Sequence, residues 1–181
     1  MQTFITLPGI GGSGDAHWQT LWERADERFM RFQPSTWDEP ELSNWIDAVD
    51  KALLATRTNP VLVAHSLSCL LVAHWARRSM KSVSGAFLVS VPDPAGPKFP
   101  AEAASFRDVP TTPLPFPALI VASTNDPYGT IAYARSRAEA WRAGLVEVGA
   151  LGHINGSSGV GDWPQGRQLL DAFSAGLRDH R

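Results

Sequence analysis

Three reactive side chains each follow a short apolar run. Ser66 comes directly after Val61-Leu62-Val63-Ala64-His65, Asp126 lies just beyond Ala118 to Ala122, and His153 lies just beyond Leu145 to Val148. A hydroxyl, a carboxylate and an imidazole held together can carry out acyl transfer. In that chemistry His153 takes the Ser66 proton, Asp126 fixes the imidazole and stabilises its cation, and Ser66 attacks an acyl carbon. The setting of Ser66 fits the role. Ala64-His65-Ser66-Leu67-Ser68 is a softened G-x-S-x-G, with small residues at both outer positions of a tight strand-to-helix turn. A serine can also merely cap the helix that follows it.

Such a reaction needs N–H donors for the tetrahedral oxygen. The backbone N–H of Leu67, after the nucleophile, is one candidate, and that of Ile10 in the loop Gly9 to Gly14 is the other. Losing one such donor typically raises the barrier by ~3 kcal/mol. Gly9, Gly11, His17, Trp18 and Trp163 are candidate pocket residues from their places beside this loop or in later loops, and Trp37 is a further candidate wall. Asp93 also follows an apolar run and is the substitute acid should Asp126 not reach His153. His65 precedes Ser66, so its side chain is expected to point away and make a structural hydrogen bond. His74, inside a helical stretch, and His180, near the C-terminus, are not candidates.

These residues need a scaffold that brings separate strand ends together. Thr3 to Leu7, Phe29 to Phe32, Val61 to Ala64, Gly85 to Val91, Ala118 to Ala122 and Leu145 to Val148 read as strands. Between them, helical patterns start near Ala16, after Pro40-Glu41, at Leu70 and at Tyr128, and a last one starts at Pro164. Strict alternation predicts a mostly parallel sheet with helices on both faces, a three-layer α/β/α sandwich formed by one domain over residues 1–181. Right-handed crossovers then put every strand's C-terminal end on one edge, where ligands of such sheets bind. Residues 92–117 hold eight of the chain's 14 prolines. Proline removes donors and fixes φ, so this segment is expected to be a loop or small flap bordering the site, with no large lid.

Other classes of function fit less well. Net charge is −2, from 16 basic and 18 acidic residues, which argues against nucleic-acid binding through a basic face. One cysteine, Cys69, allows no internal disulfide and suits a reducing, cytoplasmic setting. The start of the chain lacks a signal-peptide pattern and no apolar run reaches 18 residues, so no membrane association is expected. No metal or other cofactor is expected, because neither H-x-x-x-H, H-E-x-x-H nor a cysteine cluster occurs. Gly9, Gly11 and Gly14 match G-x-G-x-x-G, but no acidic residue ends the second strand as dinucleotide binding requires. The remaining alternative is a protein-interaction module with little turnover.

Taken together, Pro8-Gly9-Ile10-Gly11-Gly12-Ser13, His17-Trp18, His65-Ser66-Leu67, Asn125-Asp126-Pro127, Gly152-His153-Ile154-Asn155 and Trp163-Pro164 resemble the small serine hydrolases related to retinoblastoma-binding protein nine. The resemblance spans nearly the whole chain. It implies a compact α/β-hydrolase of about six strands in the order 2-1-3-4-5-6, with Ser66, Asp126 and His153 as nucleophile, acid and base. It implies a small-molecule acyl substrate: an ester, thioester or amide. Ser68 departs from the pattern, standing where many relatives have glycine.

Overall fold

In a computed structural model, which describes residues 2–177, the six strands form one parallel sheet in the order β2-β1-β3-β4-β5-β6. The strands are β1 (Phe4–Leu7), β2 (Phe29–Arg31), β3 (Val61–His65), β4 (Gly85–Val89), β5 (Ala118–Ala122) and β6 (Gly144–Glu147). The helices are α1 (Trp18–Ala25), α2 (Leu42–Leu54), α3 (Leu67–Arg78), α4 (Ile131–Trp141) and α5 (Pro164–Gly176). The expected order and three-layer architecture are both present. His180 lies outside the described residues.

Side chains alternate across a strand, so each central strand feeds two cores. Ile5, Leu7, Leu62, Ala64, Leu88 and Ile120 face one layer and pack with α2, α3 and α4 through residues such as Trp45, Leu70 and Trp141. Phe4, Val61, Val63, Phe87, Val89 and Val121 face the other and pack with α1 and α5 through Trp18, Trp22, Trp163 and Leu170. Strands β3 and β4 are buried along their whole length, as continuous apolar runs in a parallel sheet should be.

Several boundaries differ from the sequence expectation in ways that bear on the site. His65 still belongs to β3, and α3 starts at Leu67 rather than Leu70, so Ser66 is the single residue between them. Strand β4 stops at Val89, because Ser90 turns to φ 58°. Helix α4 starts only at Ile131, where the Thr130 side chain caps it. The proline-rich segment is not wholly irregular. It carries a 3₁₀ turn, Ala101–Phe106, whose Ala103 and Phe106 are fully buried against the core.

Candidate active site

Ser66 sits at φ 55°, ψ −125°, in a region that non-glycine residues rarely occupy. Holding such a conformation costs of order 1–3 kcal/mol, and the surrounding structure must over-determine it. Here the Ser66 N–H donates to the Val89 carbonyl at 2.9 Å, the Ser66 carbonyl accepts from the Cys69 N–H, and β3 and α3 leave no slack on either side. As N-cap of α3, Ser66 makes no side-chain capping bond. Its hydroxyl instead lies 2.8 Å from His153 Nε2.

His153 Nδ1 lies 2.9 and 3.0 Å from the two carboxylate oxygens of Asp126. An acceptor-only carboxylate requires the proton on Nδ1, which leaves Nε2 free to accept from the Ser66 hydroxyl. The Asp126 side chain is only 3% exposed and also accepts the Tyr128 N–H at 2.9 Å. The Tyr128 ring lies 4.5 Å from the His153 ring, centroid to centroid. Asp93, the alternative acid, spends its carboxylate on the Ala95 N–H and is not bonded to His153.

The loops carrying Asp126 and His153 are tied to each other. Asn125 Oδ1 accepts from the Gly152 N–H at 2.7 Å, and Ser123 Oγ accepts from the Leu151 N–H at 2.9 Å. Sequence reasoning missed these two braces and Tyr128. Asn125 stood in the Asn125-Asp126-Pro127 motif without a role assigned to it, and Ser123 and Tyr128 offered no signal beyond their closeness to Asp126. His65 Nε2 lies 2.9 Å from the His153 carbonyl oxygen, a structural bond of the expected kind. Complete burial, and then His17 and His153 nearby, push the His65 pKa well below the ordinary histidine value, so the ring is neutral and donates.

The loop after β1 comes up beside Ser66. A Cβ placed on Gly9 would fall 3.0 Å from Ser66 Cβ and 3.5 Å from Leu67 N, so any side chain here would press on the nucleophile's turn. Ser68, where G-x-S-x-G has glycine, is fully buried and donates its hydroxyl to the Pro8 carbonyl at 2.6 Å. The substitution thus adds a strut between this loop and α3. The N–H groups of Ile10 and Leu67 meet no acceptor among the described residues.

Ser66, His153, Ile10, Gly11, His17 and Leu67 line one cavity of about 540 Å³, within the ordinary range for small-molecule sites. Pro92, Phe99, Pro100 and Glu102 of the proline-rich segment form another wall. His17 is both cap and lining residue. Its Nδ1 accepts from the Gln19 N–H, and burial, with Arg31 and His153 nearby, lowers its pKa to about 3. Three candidate pocket residues lie elsewhere. Gly9 supports the loop from behind the cavity. Trp18 and Trp163 are core residues, 0% and 3% exposed, whose rings pack 5.3 Å apart. They belong to the layer under α1 and α5, because their apolar area is worth more buried than lining water-filled space. Trp18 still touches the site indirectly, since its indole N–H donates to the Ile154 carbonyl at 2.8 Å. Trp37 is partly buried and packs on Gly12 rather than on the cavity.

Among the described residues, no group of three or more His, Cys, Asp or Glu side chains is placed to hold a metal ion. None of their helices is long and apolar enough to cross a membrane. The arrangement as it stands can pass a proton from the Ser66 hydroxyl to His153, and it leaves the Ile10 and Leu67 N–H groups beside the cavity without a protein acceptor among the described residues.

Comparison with solved structures places this geometry in context. A putative YdeN-like hydrolase from Pectobacterium atrosepticum is 31% identical, with a TM-score of 0.88 over 98% of this chain and 92% of that one. The ydeN gene product of B. subtilis is 19% identical, with a TM-score of 0.78 over 97% of this chain and all of that one. Est1E from Butyrivibrio proteoclasticus, solved with ferulic acid bound, shares the fold at 14% identity, with a TM-score of 0.70 over 99% of this chain and 89% of that one. No curated protein matches the sequence. The family model described as serine hydrolase matches residues 4–172, and the chain therefore belongs to the serine hydrolase family.

Proposed function

We propose that the protein is a carboxylesterase-type serine hydrolase that cleaves a small ester, thioester or amide through an acyl-enzyme at Ser66. The hydrogen-bonded line from Ser66 Oγ through His153 to Asp126 carries this reading, at 2.8 and 2.9 Å. As the Ser66 oxygen attacks the acyl carbon, its proton passes to His153 Nε2, and Asp126 stabilises the imidazolium. The N–H groups of Ile10 and Leu67 receive the negative charge that develops on the carbonyl oxygen. Collapse of the tetrahedral intermediate expels the leaving group with the proton from His153. Water, deprotonated by His153, then releases the acid and restores Ser66. The 540 Å³ cavity suits an acyl group of modest size. The ferulic acid bound to Est1E is a carboxylic acid, the product class of such a reaction.

The test is mass spectrometry of the intact protein after incubation with a fluorophosphonate, wild type beside Ser66→Ala. The expected result is a single adduct on the wild type and none on the variant. Labelling of Ser66→Ala, or no labelling of the wild type at neutral pH, would overturn the reading and favour an interaction module.

A further inference from the structure

The loop that presents Ile10 is not held by its own backbone preference. Gly11, Gly12 and Ser13 take φ values of 80°, 74° and 53° in succession, and the third is not a glycine. Something outside the loop must hold it. Arg31, at the end of β2, reaches under it. Its Nη1 donates to the Gly12 carbonyl at 2.6 Å and to the Ser13 carbonyl at 3.2 Å. Its Nη2 donates at 2.6 Å to the Thr20 hydroxyl, which itself donates to the Ser13 carbonyl at 2.6 Å. Its Nε lies 3.0 Å from both carboxylate oxygens of Glu23, and Glu23 also accepts the Thr6 hydroxyl. Both charged side chains are less than a fifth exposed.

These bonds reach the oxyanion donor in two steps. Arg31 holds the Gly12 carbonyl, and the Gly12 N–H donates to the Gly9 carbonyl at 3.1 Å. In a trans peptide the C=O and the following N–H point in opposite directions. Holding the Gly9 carbonyl therefore aims the Ile10 N–H. We infer that Arg31, braced by Glu23, is a positioning residue for the proposed oxyanion site, acting through Gly12 on the Gly9–Ile10 peptide. The inference rests on the hydrolase reading above. A guanidinium is required because its planar fork serves two carbonyls, a hydroxyl and a carboxylate at once. A lysine ammonium of similar reach has three donors and no fixed plane. Misplacing a reacting group by about 1 Å can cost on the order of 100-fold in rate.

The experiment compares wild type, Arg31→Lys and Arg31→Ala with p-nitrophenyl acetate as substrate, recording kcat, KM, the pH profile of kcat/KM and the melting temperature. In both variants kcat should fall about 10- to 100-fold while KM stays within about two-fold, the pattern of an interaction that matters in the transition state. The acid limb of the pH profile should keep its midpoint, since Arg31 acts on the loop and not on His153. Millimolar guanidinium should restore part of the turnover of Arg31→Ala, and methylammonium should not. Arg31→Ala leaves Glu23 buried without its partner. If it does not fold, Arg31→Lys decides. Turnover of the folded variants within two-fold of wild type, a loss in KM alone, or a shifted pH midpoint would overturn the clamp, as would an Arg31→Lys chain that also fails to fold. A wild type that neither turns over nor takes a fluorophosphonate adduct on Ser66 overturns the hydrolase reading and the clamp with it. A labelled, active wild type with indifferent variants overturns the clamp alone.

Discussion

His65 donates its Nε2–H to the backbone carbonyl of His153 across 2.9 Å, although 88 positions separate them in the chain. The residue before Ser66 thus holds the main chain of the residue whose ring meets Ser66. Side chains alternate along β3, so His65 points with Val61 and Val63 towards the α1 and α5 layer, under the His153 loop. Ser66, past the strand end at positive φ, turns its hydroxyl to the His153 ring, and both residues border the cavity. Complete burial keeps the His65 ring neutral and able to donate.

His65→Leu removes this donor and leaves a buried carbonyl unsatisfied, which costs about 1–3 kcal/mol. Urea unfolding should show a loss of that size, and hydrolysis of p-nitrophenyl acetate should slow at unchanged KM. A variant as stable and as active as wild type would show that the bond positions nothing.

Asp126 and Asp93 can be separated directly. Asp126→Asn puts an amide where the Nδ1–H of His153 needs an acceptor, and the wrong tautomer follows. A drop of about 10⁴-fold in kcat is the expected scale. Asp93→Asn should leave kcat within about two-fold, because Asp93 bonds only the Ala95 N–H with its side chain. The paired rate measurements decide between the two carboxylates, and the reverse ranking would reassign the acid.

Gly9→Ala places a methyl 3.0 Å from Ser66 Cβ and 3.2 Å from the His65 carbonyl oxygen. Neither neighbour can give way easily, since one is the strained Ser66 and the other lies on a central strand. The loop must retreat, taking Ile10 with it. We expect about a 10- to 100-fold fall in kcat with far-UV circular dichroism unchanged. Full activity would show that the approach of the two loops is looser than the distances indicate.

Acid should destabilise the fold below pH 6.5 through His17 and His65. Both have pKa values lowered by burial, His17 to about 3 and His65 well below its ordinary value. Below pH 6.5 the unfolded chain takes up protons that the folded chain refuses. Stability is therefore complete above pH 6.5 and declines as pH falls towards the folded-state values. Between pH 7.5 and 5 His17 contributes a loss of about 2 kcal/mol, and His65 adds to it in the same direction. Urea titrations at the two pH values measure this. The difference should be smaller by about 2 kcal/mol in the His17→Gln variant, and a stability that is flat over this range would contradict the neutral, buried assignment of both rings.

Much of this protein was legible in the residues alone. Continuous apolar runs such as Val61 to Ala64 mark strands buried on both faces, and their alternation with helical patterns leads to a parallel sheet, while the strand order found is the one that the resemblance to small serine hydrolases implied. That topology gathers strand ends at one edge, so the chain order of Ser66, Asp126 and His153 already pointed to their meeting. These are consequences of local pattern and of chirality, which one sequence carries. What the tertiary structure decided depends on contacts between distant segments. Trp18 and Trp163 looked like walls of a site from their places near a loop, but the second core beneath α1 and α5 takes both. Asp126 rather than Asp93 reaches His153 because the loops after β5 and β6 are tied by Ser123 and Asn125. Ser68, a departure from the expected glycine, became a bond to Pro8. Arg31 carries no motif at all. A hydrogen bond is set by a few tenths of an ångström and by direction, and no spacing along the chain encodes which carbonyl of a distant loop a guanidinium will meet.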